Sequence, residues 1–173
     1  MRLAVALSAV VLLLVGMYTH VAPSSRPGAG AVDSIYNLKV PDGYRDWRLI
    51  SVAHEEGALN DIRAVLGNDV AIEAYRKGTR PFPDGAIIAR LAWEYVSSDE
   101  NNQAFGRRQS FVAGHPKNNQ FMVKDAKKYA LTGGWGFAQF NDGETVNVAV
   151  YATCFSCHRP VQDRDFVFTQ YAR

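Results

Sequence analysis

The chain has 173 residues, which is enough for one domain with a hydrophobic core and too few for two domains of ordinary size. Hydrophobic residues make up 47% of the chain and charged residues 21%, so extensive disorder is excluded. The formal net charge is only +2 with acidic and basic residues interspersed, which excludes a basic stripe for nucleic acid.

The N-terminus has the features of an export signal. Arg2 precedes the uncharged apolar run LAVALSAVVLLLVGMY, and small residues and prolines follow it. We expect residues 1–22 to be a signal peptide or an uncleaved inner-membrane anchor, because residues 3–22 are just long enough to cross a bilayer. Either alternative places the rest of the chain in the periplasm. Residues 23–33, rich in proline, glycine and serine, predict a flexible linker before a domain over residues 34–173.

The first half of this domain predicts two strands, a helix and a longer strand. WRLISVA and DIRAVLG are rich in β-branched residues and bounded by turn residues, as is typical of strands. NDVAIEAYRKG predicts a helix that begins at Asn68 or Asp69 and ends at Gly78. The turn FPDG then introduces the strand AIIARLAWEYV, in which alternation places Arg90 on the same face as Ile88.

The second half predicts more strands and a late helix. After a polar loop, SSDENNQ, three strand candidates follow, namely RQSFVAG, NQFMVKD and GWGFAQFND, with a helical turn at DAKKYA. NVAVYATCFSCH predicts a helix that ends at the histidine, and the aromatic segment FVFTQY is expected to pack back on the domain. Together these elements predict an α+β fold, mainly an antiparallel β-sheet with a few helices.

The only two cysteines, Cys154 and Cys157, are three positions apart, and His158 follows directly. A structural zinc site needs four ligands, and the chain offers only three further histidines and no second cysteine pair. A redox dithiol expects a βαβ context that is missing here, and a disulfide would close a very small loop and stabilise the fold little. These three alternatives stay open beside a fourth interpretation, a haem attachment site.

C-x-x-C-H is the attachment motif of c-type haem, because two thiols at this spacing can bond to the two vinyl groups on one porphyrin edge. We predict one covalently attached haem c, held by Cys154 and Cys157, with His158 as the proximal iron ligand. None of the fifteen residues after His158 is a methionine, and Met122 is better interpreted as a core residue. The sequence therefore favours a five-coordinate iron with an accessible distal side, which suits the binding of a small molecule.

From Val40 to the C-terminus the chain resembles the cytochrome P460 family, which includes the β-sheet type of cytochrome c′. The segments that carry the resemblance are VPDGYRDW, DIRAV, FPDGAIIAR, SFVAG, FMVKDAKKYA, GGWGFAQF, CFSCH and RDFVFTQY. The resemblance implies a five-stranded antiparallel sheet with helices, usually in a homodimer, and a haem on one face of the sheet. Some members oxidise hydroxylamine and carry a lysine bonded to the porphyrin, whereas others bind nitric oxide without that bond.

The chain departs from the hydroxylamine-oxidising members at Arg90, which occupies the position of the cross-linking lysine. A guanidinium stays protonated and is a poor nucleophile, so we expect no such bond, and neither Lys77 nor Lys124 has the strand position. Arg90 is expected either to form an ion pair with Glu94 or to face a haem propionate or a bound ligand. The same two alternatives apply to Arg63.

Three functions remain open at this stage. The first is a haem protein that binds a small nitrogen-oxide ligand such as nitric oxide. The second is a hydroxylamine-oxidising or peroxidase-like enzyme, which would need a distal acid–base group; Asp61 and Glu94 are candidates, although solvated carboxylates are the more ordinary interpretation. The third is an electron-transfer cytochrome with a six-coordinate iron and a redox partner protein.

Overall fold

A computed structural model describes residues 38–141, 144–145 and 149–172. The predicted signal peptide or anchor and the predicted linker lie outside these residues and stay predictions. None of the helices in the described residues combines the length and the hydropathy that crossing a membrane requires.

The described residues form one antiparallel sheet in which the strands lie side by side in chain order. Five strands are long and the sixth has two residues, which confirms the predicted α+β fold with about five strands. The strands are β1 (Arg48–Glu55), β2 (Asp61–Gly67), β3 (Ile87–Ser97), β4 (Phe111–Lys124), β5 (Trp135–Asn141) and β6 (Glu144–Thr145).

Three α-helices accompany the sheet: α1 (Asp69–Lys77), α2 (Asp99–Phe105) and α3 (Ala149–His158). Helix α1 confirms its prediction, because the Asn68 side chain accepts a hydrogen bond from the Ala71 N–H at 3.0 Å and Gly78 ends the helix in the left-handed conformation. Helix α2 shows that the prediction of a loop at SSDENNQ was wrong. Its polar sequence is helical because Ser98 caps its first turn and Gly106 ends it.

Strand β4 corrects the prediction of two separate strands at RQSFVAG and NQFMVKD. One continuous strand of 14 residues runs through both segments and through the intervening His115–Asn118. The pairing register between β3 and β4 shifts on either side of Trp93, opposite Pro116. A bulge of this kind lets a proline, which has no N–H to donate, stay within a strand.

The two faces of the sheet have different coverings. Ile88, Met122 and Phe137 stand in register across β3, β4 and β5, on the face that contacts α3 through the ring of Phe137. We call this the α3 face. On the opposite face Phe121 is buried, and the ring of Tyr44 packs edge-on against it with the centroids 5.1 Å apart.

The segment after α3 returns to the domain, as FVFTQY predicted. A 3₁₀ helix, Arg159–Arg164, follows α3 directly, and Val167 beyond it is buried. The Ala172 N–H donates to the Ile50 carbonyl of the sheet at 2.9 Å. The C-terminal segment therefore holds the end of α3 close to the sheet.

Candidate functional site

Helix α3 brings the two cysteines and the histidine of the motif within one turn. Cys154, Cys157 and His158 are related by steps of three and four residues, which places them on the same side of a helix. Both cysteines are free thiols, Cys154 half-buried and Cys157 exposed. Burial raises the pKa of the Cys154 thiol, and the neighbouring Cys157 adds to this effect. Within the described residues, no three His, Cys, Asp or Glu side chains are grouped so that they could hold a metal ion.

The imidazole of His158 is fixed by a backbone carbonyl. Its Nδ1 lies 2.6 Å from the Phe166 oxygen, and because a carbonyl only accepts, Nδ1 carries the proton. The atom available to a metal is therefore Nε2. Burial lowers the pKa of His158, although the bond to Phe166 opposes this in part. The neutral imidazole that results is the form that ligates a metal.

Aromatic rings surround His158. The ring centroids of Phe137 on β5 and of Phe168 in the C-terminal segment lie 5.1 Å and 5.2 Å from that of the imidazole. Phe168 is 51% exposed, although its ring is one of the largest apolar groups in the segment. An apolar, partly open surface beside a fixed imidazole is suited to a flat hydrophobic cofactor.

Arg63 and Arg90 meet at a carboxylate further along the α3 face. Asp61 Oδ1 accepts from Arg63 Nε at 2.8 Å, and Asp61 Oδ2 accepts from Arg90 Nη2 at 2.5 Å. Arg90 Nη1 also donates to Asn118 Oδ1 at 2.7 Å. We refer to Asp61, Arg63 and Arg90 as the arginine cluster.

This geometry corrects two expectations. The partner of Arg90 is Asp61 and not Glu94, because Asp61 lies on the neighbouring strand with its carboxylate between the two guanidinium groups. Asp61 is also only 1% exposed, so the interpretation of a solvated carboxylate was wrong for this residue. The interpretation of a solvated carboxylate holds for Glu94, which is half-exposed and contacts His115 Nδ1 at 3.2 Å.

The two guanidinium groups of the arginine cluster face the buried carboxylate of Asp61, and the half-exposed carboxylate of Glu55 lies 3.4 Å from Arg63 Nη1. Burial lowers the pKa of Arg90 and the nearby Arg63 lowers it further, while Asp61 opposes both effects. Arg90 Nε is buried without a hydrogen-bond partner among the described residues. Arg63 Nη2 is also buried, and although it lies 2.7 Å from Asp61 Oδ1, the contact lacks hydrogen-bond geometry. Arg90 Nε–H is thus a buried donor without an acceptor, an arrangement that costs stability.

The pairing register relates the arginine cluster to the α3 motif. Arg90 is in register with Gln120 and Gln139, and this row is the next one along from the row of Phe137. Rows two residues apart on one face are separated by about 7 Å. The sheet therefore places a cationic row directly beside the aromatic surface at His158.

The residues present fit a c-type haem. Two free thiols and a neutral imidazole stand on one helical turn, next to aromatic rings and to buried, unpaired guanidinium N–H groups. Met122 is buried in the core in the same row as Phe137, as predicted for a core residue. His54 stacks on the Tyr95 ring with the centroids 3.7 Å apart.

The sequence indicated Asp61 only through its closeness to Arg63 along the chain. Asp61 and Arg63 are two residues apart and so share a strand face, which is a signal that the sequence does contain. The buried pair Lys124 and Asp165 was also missed, and nothing in the sequence joins two residues so far apart.

The model of one protein family, described as Cytochrome P460, matches residues 41–169. The matched range covers well over half of the chain and includes the arginine cluster, helix α3 and the segment that holds His158. A comparison with curated proteins finds no significant match.

Proposed function

The chain belongs to the cytochrome P460 family of haem c-type cytochromes, and we propose that it is an exported mono-haem protein whose His158-ligated, five-coordinate iron binds nitric oxide and related nitrogen oxides. The haem, when bound, supplies an iron that takes up diatomic ligands. The observation that carries the proposal is the His158 geometry. Nδ1 is committed to the Phe166 carbonyl, so that only Nε2 is left to bind the metal.

Each residue of the motif has a separate role in this proposal. Cys154 and Cys157 would attach the cofactor, and their free thiols on one helical turn supply the required pair. His158 would ligate the iron, and burial keeps its imidazole neutral. Because α3 is held to the sheet by the packing of Phe137, these three residues would present the cofactor to the α3 face.

The arginine cluster is suited to bind an acidic group at the α3 face. Arg63 and Arg90 lie close together on this face, and Arg90 Nε is buried without a hydrogen-bond acceptor. A haem propionate or a bound nitrogen-oxide ligand would supply that acceptor. Arg90 also argues against the lysine–porphyrin bond of hydroxylamine-oxidising relatives, because it occupies the lysine position and a guanidinium is a poor nucleophile.

The two lysines considered as substitutes for the cross-linking residue have other partners. Lys77 forms an exposed ion pair with Glu73 at 2.9 Å, and Lys124 is buried against Asp165 at 2.7 Å. Export to the periplasm, homodimer formation and a redox partner protein are further parts of the proposal. They follow from the apolar N-terminus and from the family resemblance.

The test is the absorption spectrum and intact mass of the purified protein, followed by titration of the ferrous form with nitric oxide. We expect the mass of one haem, a five-coordinate haem c spectrum, and a spectral change that saturates with nitric oxide. Cys154→Ala should retain at most one thioether bond, and Ser156→Ala, on the same helix, is the matched control. A six-coordinate spectrum indifferent to nitric oxide would point to electron transfer. A red-shifted Soret band would indicate a porphyrin cross-link and an oxidase.

A further inference from the structure

A second buried ion pair lies on the α3 face, away from the arginine cluster. Lys124 Nζ is 2.7 Å from Asp165 Oδ1, and the two side chains are only 5% and 8% exposed. Lys124 also donates to the Gly133 carbonyl at 3.2 Å and lies 4.9 Å from the centroid of the Trp135 ring. The other oxygen of Asp165 accepts from the Phe82 N–H at 2.7 Å. The pair therefore joins four separate segments of the chain.

Asp165 begins a backbone turn whose next residue, Phe166, carries the carbonyl that contacts His158. Asp165 and Phe166 both lie in the left-handed region, with φ values of 53° and 64°. Aspartate tolerates this conformation, but for a bulky residue such as phenylalanine it is strained. A strained conformation persists only where the surrounding contacts impose it. The Phe166 carbonyl in this strained turn is the acceptor of the His158 Nδ1 hydrogen bond at 2.6 Å.

The contacts that impose the turn converge on Asp165. Its side chain is held by Lys124 and by the Phe82 N–H, and its carbonyl accepts from Trp135 Nε1 at 2.8 Å. The Phe166 ring fills the space beside Gly133, where an added Cβ would lie 2.1 Å from the ring. Lys124 binds both sides of this arrangement, since it donates to Asp165 and to the carbonyl of Gly133.

We propose that Lys124 and Asp165 are positioning residues for the proximal ligand: by fixing the turn at Asp165 and Phe166, they hold the carbonyl that orients His158 and sets how strongly its Nε2 donates to iron. The inference rests on haem ligation by His158, which belongs to the proposed function. A hydrogen-bond acceptor at Nδ1 makes Nε2 a stronger electron donor to iron. It thereby strengthens the iron–nitrogen bond and favours the ferric state. Loosening the turn should weaken all three effects.

The test uses the haem-loaded protein and two variants. Lys124→Met keeps the aliphatic stem beside Trp135 and removes the cation. Asp165→Asn keeps the side-chain shape, the tolerance of the left-handed conformation and an acceptor for the Phe82 N–H. We expect a lower iron–histidine stretching frequency in the resonance Raman spectrum of the ferrous protein, and a higher reduction potential, in both variants. The shift should be larger for Lys124→Met. Should one of the two variants not fold, the other still decides the question.

The matched control is Leu91→Ala, a destabilising change at a buried residue on the opposite face of the sheet. It should leave both the stretching frequency and the potential unchanged. If the Lys124 and Asp165 variants lose stability but keep the wild-type frequency and potential, the pair is only structural and the inference is wrong. Nitric oxide binding is scored separately. Shifted frequencies in a protein that does not bind nitric oxide would uphold the inference and overturn the proposed function.

Discussion

The α3 face carries two buried ion clusters that are built in opposite ways. Lys124 and Asp165 form a pair of equal and opposite charges, and the remaining polar atoms of the pair have partners in Gly133 and Phe82. The arginine cluster instead sets two guanidinium groups around the buried carboxylate of Asp61, with the half-exposed Glu55 at its edge, and leaves the buried Arg90 Nε without an acceptor. One cluster is complete within the chain, and the other has unused donors.

This difference favours a structural role for the Lys124–Asp165 pair and supports the ligand-binding role that we propose for the arginine cluster. A buried pair with every polar atom satisfied contributes rigidity, and it has no capacity left for a ligand. A partly buried cluster with an unsatisfied donor is costly by itself, and an acceptor would lower that cost. The Lys124–Asp165 pair lies beside the turn whose carbonyl contacts His158, and the arginine cluster lies further along the same face.

The largest expected effect comes from breaking the complete cluster. Asp165→Ala leaves the Lys124 ammonium buried without a counter-charge, so the free energy of unfolding should fall by about 3–5 kcal/mol. Denaturant unfolding of the haem-loaded protein measures this loss. The control is Asp163→Ala, an exposed residue of the 3₁₀ helix that ends just before Asp165, which should cost less than about 0.5 kcal/mol. A loss below about 1 kcal/mol for Asp165→Ala would contradict the description of a tightly coupled pair.

Local signals in the sequence predict much of this architecture. The caps of α1 lie next to the helix that they begin and end, and the C-x-x-C-H motif brings its own three residues together on α3. Strand β2 was predicted with its observed bounds, because turn residues stand at both ends. In each of these cases the physical interaction joins residues that are neighbours in the chain.

The remaining features depend on contacts between distant residues. Arg90 pairs with Asp61 through the register of β2 and β3, whereas sequence proximity favoured Glu94. Lys124 meets Asp165 only because the segment after α3 turns back toward the sheet. The union of two predicted strands into β4 likewise depends on pairing with β3, where the bulged register of β4 accommodates Pro116. The sequence contains these residues but does not indicate which of them are in contact.

The arginine cluster should tolerate the loss of its carboxylate better than the Lys124–Asp165 pair does. Asp61→Asn should lower the free energy of unfolding by about 1–3 kcal/mol, because the side chains of Arg63 and Arg90 are 14% and 15% exposed and can be hydrated in part. Denaturant unfolding checks this value, with Glu55→Gln as the control. Glu55 is half-exposed and lies 3.4 Å from Arg63, so its neutralisation should cost less than about 1 kcal/mol. A loss for Asp61→Asn as large as that for Asp165→Ala would remove the distinction between the two clusters.

The smallest effect is expected at Glu94, which lies beside the arginine cluster without belonging to it. Glu94 stands directly opposite Asp61 in the β2–β3 register, and its contact is with His115, whose side chain is 91% exposed. An exposed ion pair contributes little, and like charges on facing residues repel, so Glu94→Gln should change stability by less than about 0.5 kcal/mol in either direction. Denaturant unfolding at low and high salt measures this change. A loss above about 1 kcal/mol that high salt does not reduce would mean that Glu94, and not only Asp61, neutralises the two arginines.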